Sequence, residues 1–151
     1  MSERGTAAVR LVDGVAGGLV AAVASGIPST LHAMRRRESL LASTRAAGSL
    51  VVDDDRSGLR QLASGLAVHL ALSAGWGGVI GLTLPSRRAR LAGLAWGAVI
   101  AAADLGVVGR RYPRIAALAP GPQVADHLAF GLVVAAVVTR RRRARDATVT
   151  R

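Results

Sequence analysis

Residues 62–84, LASGLAVHLALSAGWGGVIGLTL, run for twenty-three positions with no charged side chain other than the titratable His69. A stretch of that length and polarity admits few folds. At about 1.5 Å per residue a helix of this size matches an apolar layer about 30 Å thick, which makes a membrane span the first expectation. Within it Gly65, His69, Ser73, Gly77 and Gly81 recur every fourth residue and so share one narrow stripe. Small residues on such a stripe let two helix backbones approach closely, and the histidine among them faces a neighbouring helix rather than lipid.

Three further apolar stretches bounded by charge repeat the pattern. The spans are expected at about residues 9–27, 62–84, 91–109 and 124–139, with a polar loop over 28–61, in one membrane domain covering 1–151. The first is broken only by Arg10 and Asp13 near its start, and its stripe is Gly14, Gly18, Ala22 and Gly26. Arg4 and Arg10 ahead of an apolar run ending in Ala22, Val23 and Ala24 also fit a cleaved signal. Asp13 and the glycines make a poor signal core, so a retained span is expected. The third span carries Gly93, Gly97 and Ala101 with one acid, Asp104. The fourth carries His127, Gly131, Ala135 and Thr139, starts at Asp126, and is expected to stop at Arg140, Arg141, Arg142 and Arg143.

Spans one and three share Gly, Gly, Ala at four-residue steps, and spans two and four share His, small, small. This reads as a duplicated helical hairpin: an all-α, integral membrane four-helix bundle of two repeats packed through Gly14, Gly18, Gly65, Gly77, Gly81, Gly93, Gly97 and Gly131. Trp76 and Trp96 each precede a stripe glycine and are expected to pack together.

In the loop, Leu31, Met34, Leu40 and Leu41 suit a short helix at headgroup depth, with Arg35, Arg36 and Arg37 reaching phosphate. Asp53, Asp54 and Asp55 lack the alternating ligand spacing and closing Glu of a calcium loop, and read as a solvated capping cluster before the second span. Pro113, Pro120 and Pro122 prevent a continuous helix between spans three and four.

The net charge of +11 raises nucleic acid as a partner, yet aromatic residues are only 3% of the chain and none is interleaved with the arginines for stacking. Anionic lipid headgroups, met first by Arg140 to Arg143, are the expected partner, and nucleic acid is not. All twenty basic residues are Arg, a usage that resembles the codon bias of a GC-rich genome. With no cysteine there is no disulfide or thiolate metal site.

A glycine-rich first span, His69 followed by Ser73 in the second, LAGLAWGA from Leu91, a proline-containing connection, and DHLAFG from Asp126 ending in arginines resemble the YagU-type group of small bacterial inner-membrane proteins. The resemblance covers the four spans and not the first loop. It implies four helices in the cytoplasmic membrane and brings no reaction, cofactor or catalytic residue with it.

Alternating spans gather His32, His69, Asp104, Asp126 and His127 at one side of the membrane. An ionised residue in the apolar interior costs about 3 kcal/mol on insertion scales, so Asp104 is expected to be paired or to face a wet cavity. Two readings are open. One is structural: Asp104 hydrogen-bonds His69 or His127, or reaches Arg110 or Arg111. The other is a pocket for a cation, a proton or a lipid headgroup. Two histidines and a carboxylate make a chemically possible metal site, but no HExxH or clustered histidine supports a metal enzyme, and neither catalysis nor a cofactor is expected.

Arg4, Arg10, Arg87, Arg88, Arg90, Arg140 to Arg143, Arg145 and Arg151 make eleven arginines on the side of the termini, against nine on the other side. This places both termini in the cytoplasm. The function expected is a binding or accessory role, as a subunit of an envelope complex, a lipid-associated bundle or a homo-oligomer. The alternative is a small transporter or proton-coupled permease using the Asp/His cluster.

Overall fold

The computed structural model describes residues 3–52 and 58–149, and Asp53, Asp54 and Asp55 lie outside the described residues. The described chain is all-helical, with four helices long and apolar enough to cross a membrane. The order is α1 (Glu3–Ala24), α2 (Ile27–Arg36), α3 (Ala42–Gly48), α4 (Gly58–Thr83), α5 (Ala89–Ala103), a π-helical turn (Asp104–Val108), α6 (Gly109–Arg111), α7 (Pro113–Ala116) and α8 (Pro120–Val149).

Helix α1 lies between α4 and α8, α8 lies between α1 and α5, and the α1–α4, α1–α8 and α5–α8 pairs each run antiparallel. Helices α4 and α5, although consecutive, share no broad seam. They meet through Trp76 and Trp96, whose ring centroids are 6.2 Å apart at 49°. The buried core is formed by Ala21, Ile80, Leu84, Ile100, Phe130, Val134, Ala135 and Val138, in which α8 supplies four of the eight side chains.

The glycine stripes explain how such slender helices cohere. A methyl group at Gly18 would land on the carbonyl oxygen of Ser73, and one at Gly14 on that of Gly77; Gly77 and Gly81 reciprocate against Gly14 and Arg10. On the other hairpin Gly93 and Gly131 abut each other's carbonyls and Gly97 abuts that of His127. Backbone contact this close replaces side-chain burial with dispersion and weak Cα–H···O bonds, which suits a medium where apolar side chains gain nothing by leaving lipid. The two hairpins therefore pack alike, with a difference of register. With His69 aligned on His127, Gly18 opposite Ser73 corresponds to Gly93 opposite Gly131, one helical turn from the alignment of Gly14 with Gly93 that the sequence suggests.

Four boundaries differ from expectation. Gly65 packs not on a spanning helix but on α3, its α-carbon facing the carbonyl of Thr44, while Gly48 faces that of Gln61. The first loop is thus partly a packed layer along the start of α4. Leu31 and Met34 fall in α2 as expected, whereas Leu40 and Leu41 fall in the turn after it. The third span is longer than residues 91–109 suggest, because helical structure continues through the π turn to Arg111. Finally, Arg140 to Arg143 do not stop the fourth helix. Arginine is a good helix former, and α8 runs on to Val149, about 45 Å in all, so its last turns stand beyond an apolar layer about 30 Å thick.

Candidate functional site

Both discontinuities in the bundle are served by the ionisable residues that the sequence places on one side of the membrane. The first is the break at Ser25 and Gly26 between α1 and α2. Pro28, in the first turn of α2, has no amide to offer, and the break leaves the Ala22 carbonyl without the amide that a continuous helix would supply. His69 of α4 fills that place: its Nε2–H donates to the Ala22 carbonyl at 2.9 Å. On the far side of the break α2 has no side-chain cap of its own, and Asp126 of α8 supplies one, its Oδ1 accepting the Ser29 amide at 3.0 Å. Irregular backbone at membrane depth is tolerated when its polar groups find such partners.

The second discontinuity is the π turn, closed by the Gly109 amide donating to the Asp104 carbonyl. A π turn adds one residue to a helical circuit and rotates everything after it, a feature often found at functional sites. Here Asp104, the first residue of the turn, meets α8 through its carboxylate: Oδ2 lies 3.0 Å from His127 Nε2. The other ring nitrogen of His127, Nδ1, lies 2.6 Å from the Gln123 carbonyl one turn back along α8. The histidine side chain is largely covered, 16% exposed, and the carboxylate is open at 43%.

The expected five-residue cluster therefore resolves into three places. Asp104 and His127 form a direct pair, one of the structural alternatives the sequence allows. His69 and Asp126 flank the α1–α2 break. His32 lies on α2 in an open groove of about 460 Å³ with Arg35, Ile27, Leu31, Pro122 and Ala125. Among the described residues no three His, Cys, Asp or Glu side chains converge as metal ligands. Around this end Arg114 Nη1 donates to Gln61 Oε1 at 3.1 Å and Gln123 Nε2 to Ser43 Oγ at 3.3 Å, tying α7 to α4 and α8 to α3.

At the opposite end stands the acid that interrupts the apolar first span. Asp13 is 1% exposed, and its carboxylate accepts from Arg141 Nε at 2.7 Å, from Arg145 Nη1 at 2.8 Å and from Arg145 Nη2. Arg141 and Arg145 are four residues apart on α8 and therefore point the same way, a clamp for one carboxylate. The signal was present in the sequence: the one acid of the first span and an i, i+4 arginine pair at the end of the last, 128 and 132 positions away.

The same geometry divides the expected headgroup arginines. Arg141 is on Asp13, and Arg142 donates to the carbonyls of Leu84 at 3.1 Å and Gly81 at 3.3 Å, covering the C-terminal end of α4 from outside. Arg140 and Arg143 remain exposed, facing away from the bundle. Comparison with models of protein families, with curated proteins and with solved structures returns no match.

Proposed function

We propose that this chain is a small polytopic membrane protein with a binding or accessory role, a lipid-associated bundle that serves a larger envelope assembly rather than carrying out chemistry. The observation that carries this reading is the use of the glycine stripes. Gly14, Gly18, Gly77, Gly81, Gly93, Gly97 and Gly131 are all spent on contacts within the chain, and bulky apolar side chains such as Leu19, Val20, Leu66, Leu72, Leu91 and Val99 face outward. Such a surface suits acyl chains and the apolar faces of other membrane helices, and it favours lipid or a partner over self-association through the stripes. Exposed Arg140 and Arg143 beside the clamp, with Arg87 and Arg88 in the neighbouring turn and Arg90 at the start of α5, suit anionic headgroups at about 1 kcal/mol each. The resemblance to YagU-type proteins supports a bacterial cytoplasmic membrane, and the arginine balance supports termini on its cytoplasmic side. Catalysis and a cofactor form no part of this reading.

Capture of the full chain in native nanodiscs, with mass spectrometry of the lipids and proteins that accompany it, tests the reading. Anionic lipid enriched over the bulk membrane, with an affinity that falls about thirtyfold in the Arg140→Gln, Arg143→Gln double variant, is the expected result. Bulk-like lipid with no stoichiometric partner overturns it. A second reading, a small proton-coupled permease, is favoured by the Asp104–His127 pair. Against it, the ionisable groups of the spans lie toward the two ends of the bundle, with the buried Phe130 and Val134 of α8 between them.

A further inference from the structure

We propose that Asp104 and His127 form a one-proton site: a pair that holds its geometry only while it shares one proton more than an ionised carboxylate and a neutral imidazole contain. The inference follows from counting donors. Each ring nitrogen of His127 faces an oxygen, Nδ1 at 2.6 Å from the Gln123 carbonyl and Nε2 at 3.0 Å from Asp104 Oδ2. A backbone carbonyl only accepts, so the Nδ1 contact requires Nδ1–H. A neutral imidazole has one N–H, and with Nδ1 protonated its Nε2 is an acceptor. An ionised carboxylate is an acceptor too, so Nε2 and Oδ2 would then face each other with no hydrogen between them. Two protonation patterns remove the conflict. Either the ring is imidazolium and donates from both nitrogens to an ionised Asp104, or Asp104 is protonated and donates to Nε2. Both contain the same number of protons, one more than the empty pair.

The charged groups on the elements packed against the pair include Asp126 of α8 and, on the short helices that follow the π turn, Arg110 and Arg111 of α6 and Arg114 of α7, the last of which donates to Gln61. Asp126, next along α8, acts electrostatically on His127 and on His69 of α4, but its Oδ1 is engaged by the Ser29 amide of α2. His69 is committed to the Ala22 carbonyl, His32 and Arg35 of α2 line the groove beside Ala125, and Asp13 of α1 is clamped at the opposite end, where Arg10 of α1 also acts on Arg142. The proton is the ligand, and the bond it completes joins the π turn to α8.

The test is nitrogen-15 NMR of the full chain in lipid nanodiscs at pH 7, with labelled histidine and the His127 signals identified by their loss in His127→Gln, paired with infrared spectra of wild type and Asp104→Asn. The expected result is either two protonated ring nitrogens on His127, or one together with a protonated-carboxyl band that disappears in Asp104→Asn. In that variant the asparagine amide donates to Nε2, so the ring should keep Nδ1–H alone and the pair should lose one proton. Wild-type His127 with one protonated nitrogen and no carboxyl band assigned to Asp104 overturns the proposal. If Asp104→Asn does not fold, infrared spectra of wild type with carbon-13-labelled aspartate, together with the ring-nitrogen count, decide the matter.

Discussion

At the scale of single residues, the decisive group is a carboxylate. Asp13 is almost fully covered and accepts three N–H bonds from two guanidinium groups that are themselves nearly half exposed, so removing it undoes the clamp and releases Arg141 and Arg145 toward water. Hydrogen bonds to a charged group contribute about 1.5–3 kcal/mol and the exposed arginine side of this pair is screened, so Asp13→Ala is expected to lower stability by about 1–3 kcal/mol in thermal unfolding in detergent or nanodiscs. Arg141→Ala is expected to cost less, since Arg145 retains a bidentate hold on the carboxylate. Asp13 was legible as an acid inside an apolar span, which already demands a partner. Which partner it takes was not legible, because the arginines lie in the most distant helix and the sequence offers other arginines at similar depth. The same applies to His69 and Asp126: their membrane side follows from alternating spans, but their service to a helix break depends on where α1 bends, and Gly26 gives only a faint hint of that.

At the scale of elements, the stripes were the most readable feature, because four-residue spacing of small residues maps directly onto one helix face. What spacing alone leaves open is the partner and the register. Gly65 continues the α4 stripe without interruption, yet it meets α3, a helix of seven residues whose sequence ASTRAAG has no apolar periodicity to announce it. The π turn is invisible for a related reason: residues 104–108, DLGVV, extend an apolar run, and a one-residue phase shift leaves no trace where both phases are equally apolar. The packing makes a paired prediction. Gly18→Ala puts a methyl group against the Ser73 backbone, which cannot yield as a side chain would, and should cost about 1–3 kcal/mol. Gly75→Ala, on the same helix as Gly77 but with open space at its α-carbon, should be neutral or stabilising by up to about 1 kcal/mol. Thermal unfolding of the two variants in one lipid mixture, with opposite shifts in midpoint, checks both.

At the scale of the whole molecule, α8 holds the bundle together: it packs on α1, α2, α4 and α5, supplies half of the core, and carries the Asp126 cap, the Asp104 partner and both clamp arginines. Truncation after Thr139 should therefore destabilise the protein by at least as much as Asp13→Ala, because it removes the clamp and the Arg142 cover of α4 together. Truncation after Arg145 keeps both and should leave the unfolding midpoint unchanged. Resistance to proteolysis in the Pro85 turn should fall in the first variant and not in the second. The Asp13 clamp also has a consequence in time. Synthesis runs from the N-terminus, so α1 is made more than a hundred residues before Arg141 and Arg145, and until then Asp13 has only Arg10, one turn away on the same helix, as a cationic neighbour within α1. The first span is therefore a provisional tenant of the membrane: chains ending before Arg141 are expected to hold α1 in the bilayer less firmly than the full chain, which labelling of α1 by a water-borne reagent would show.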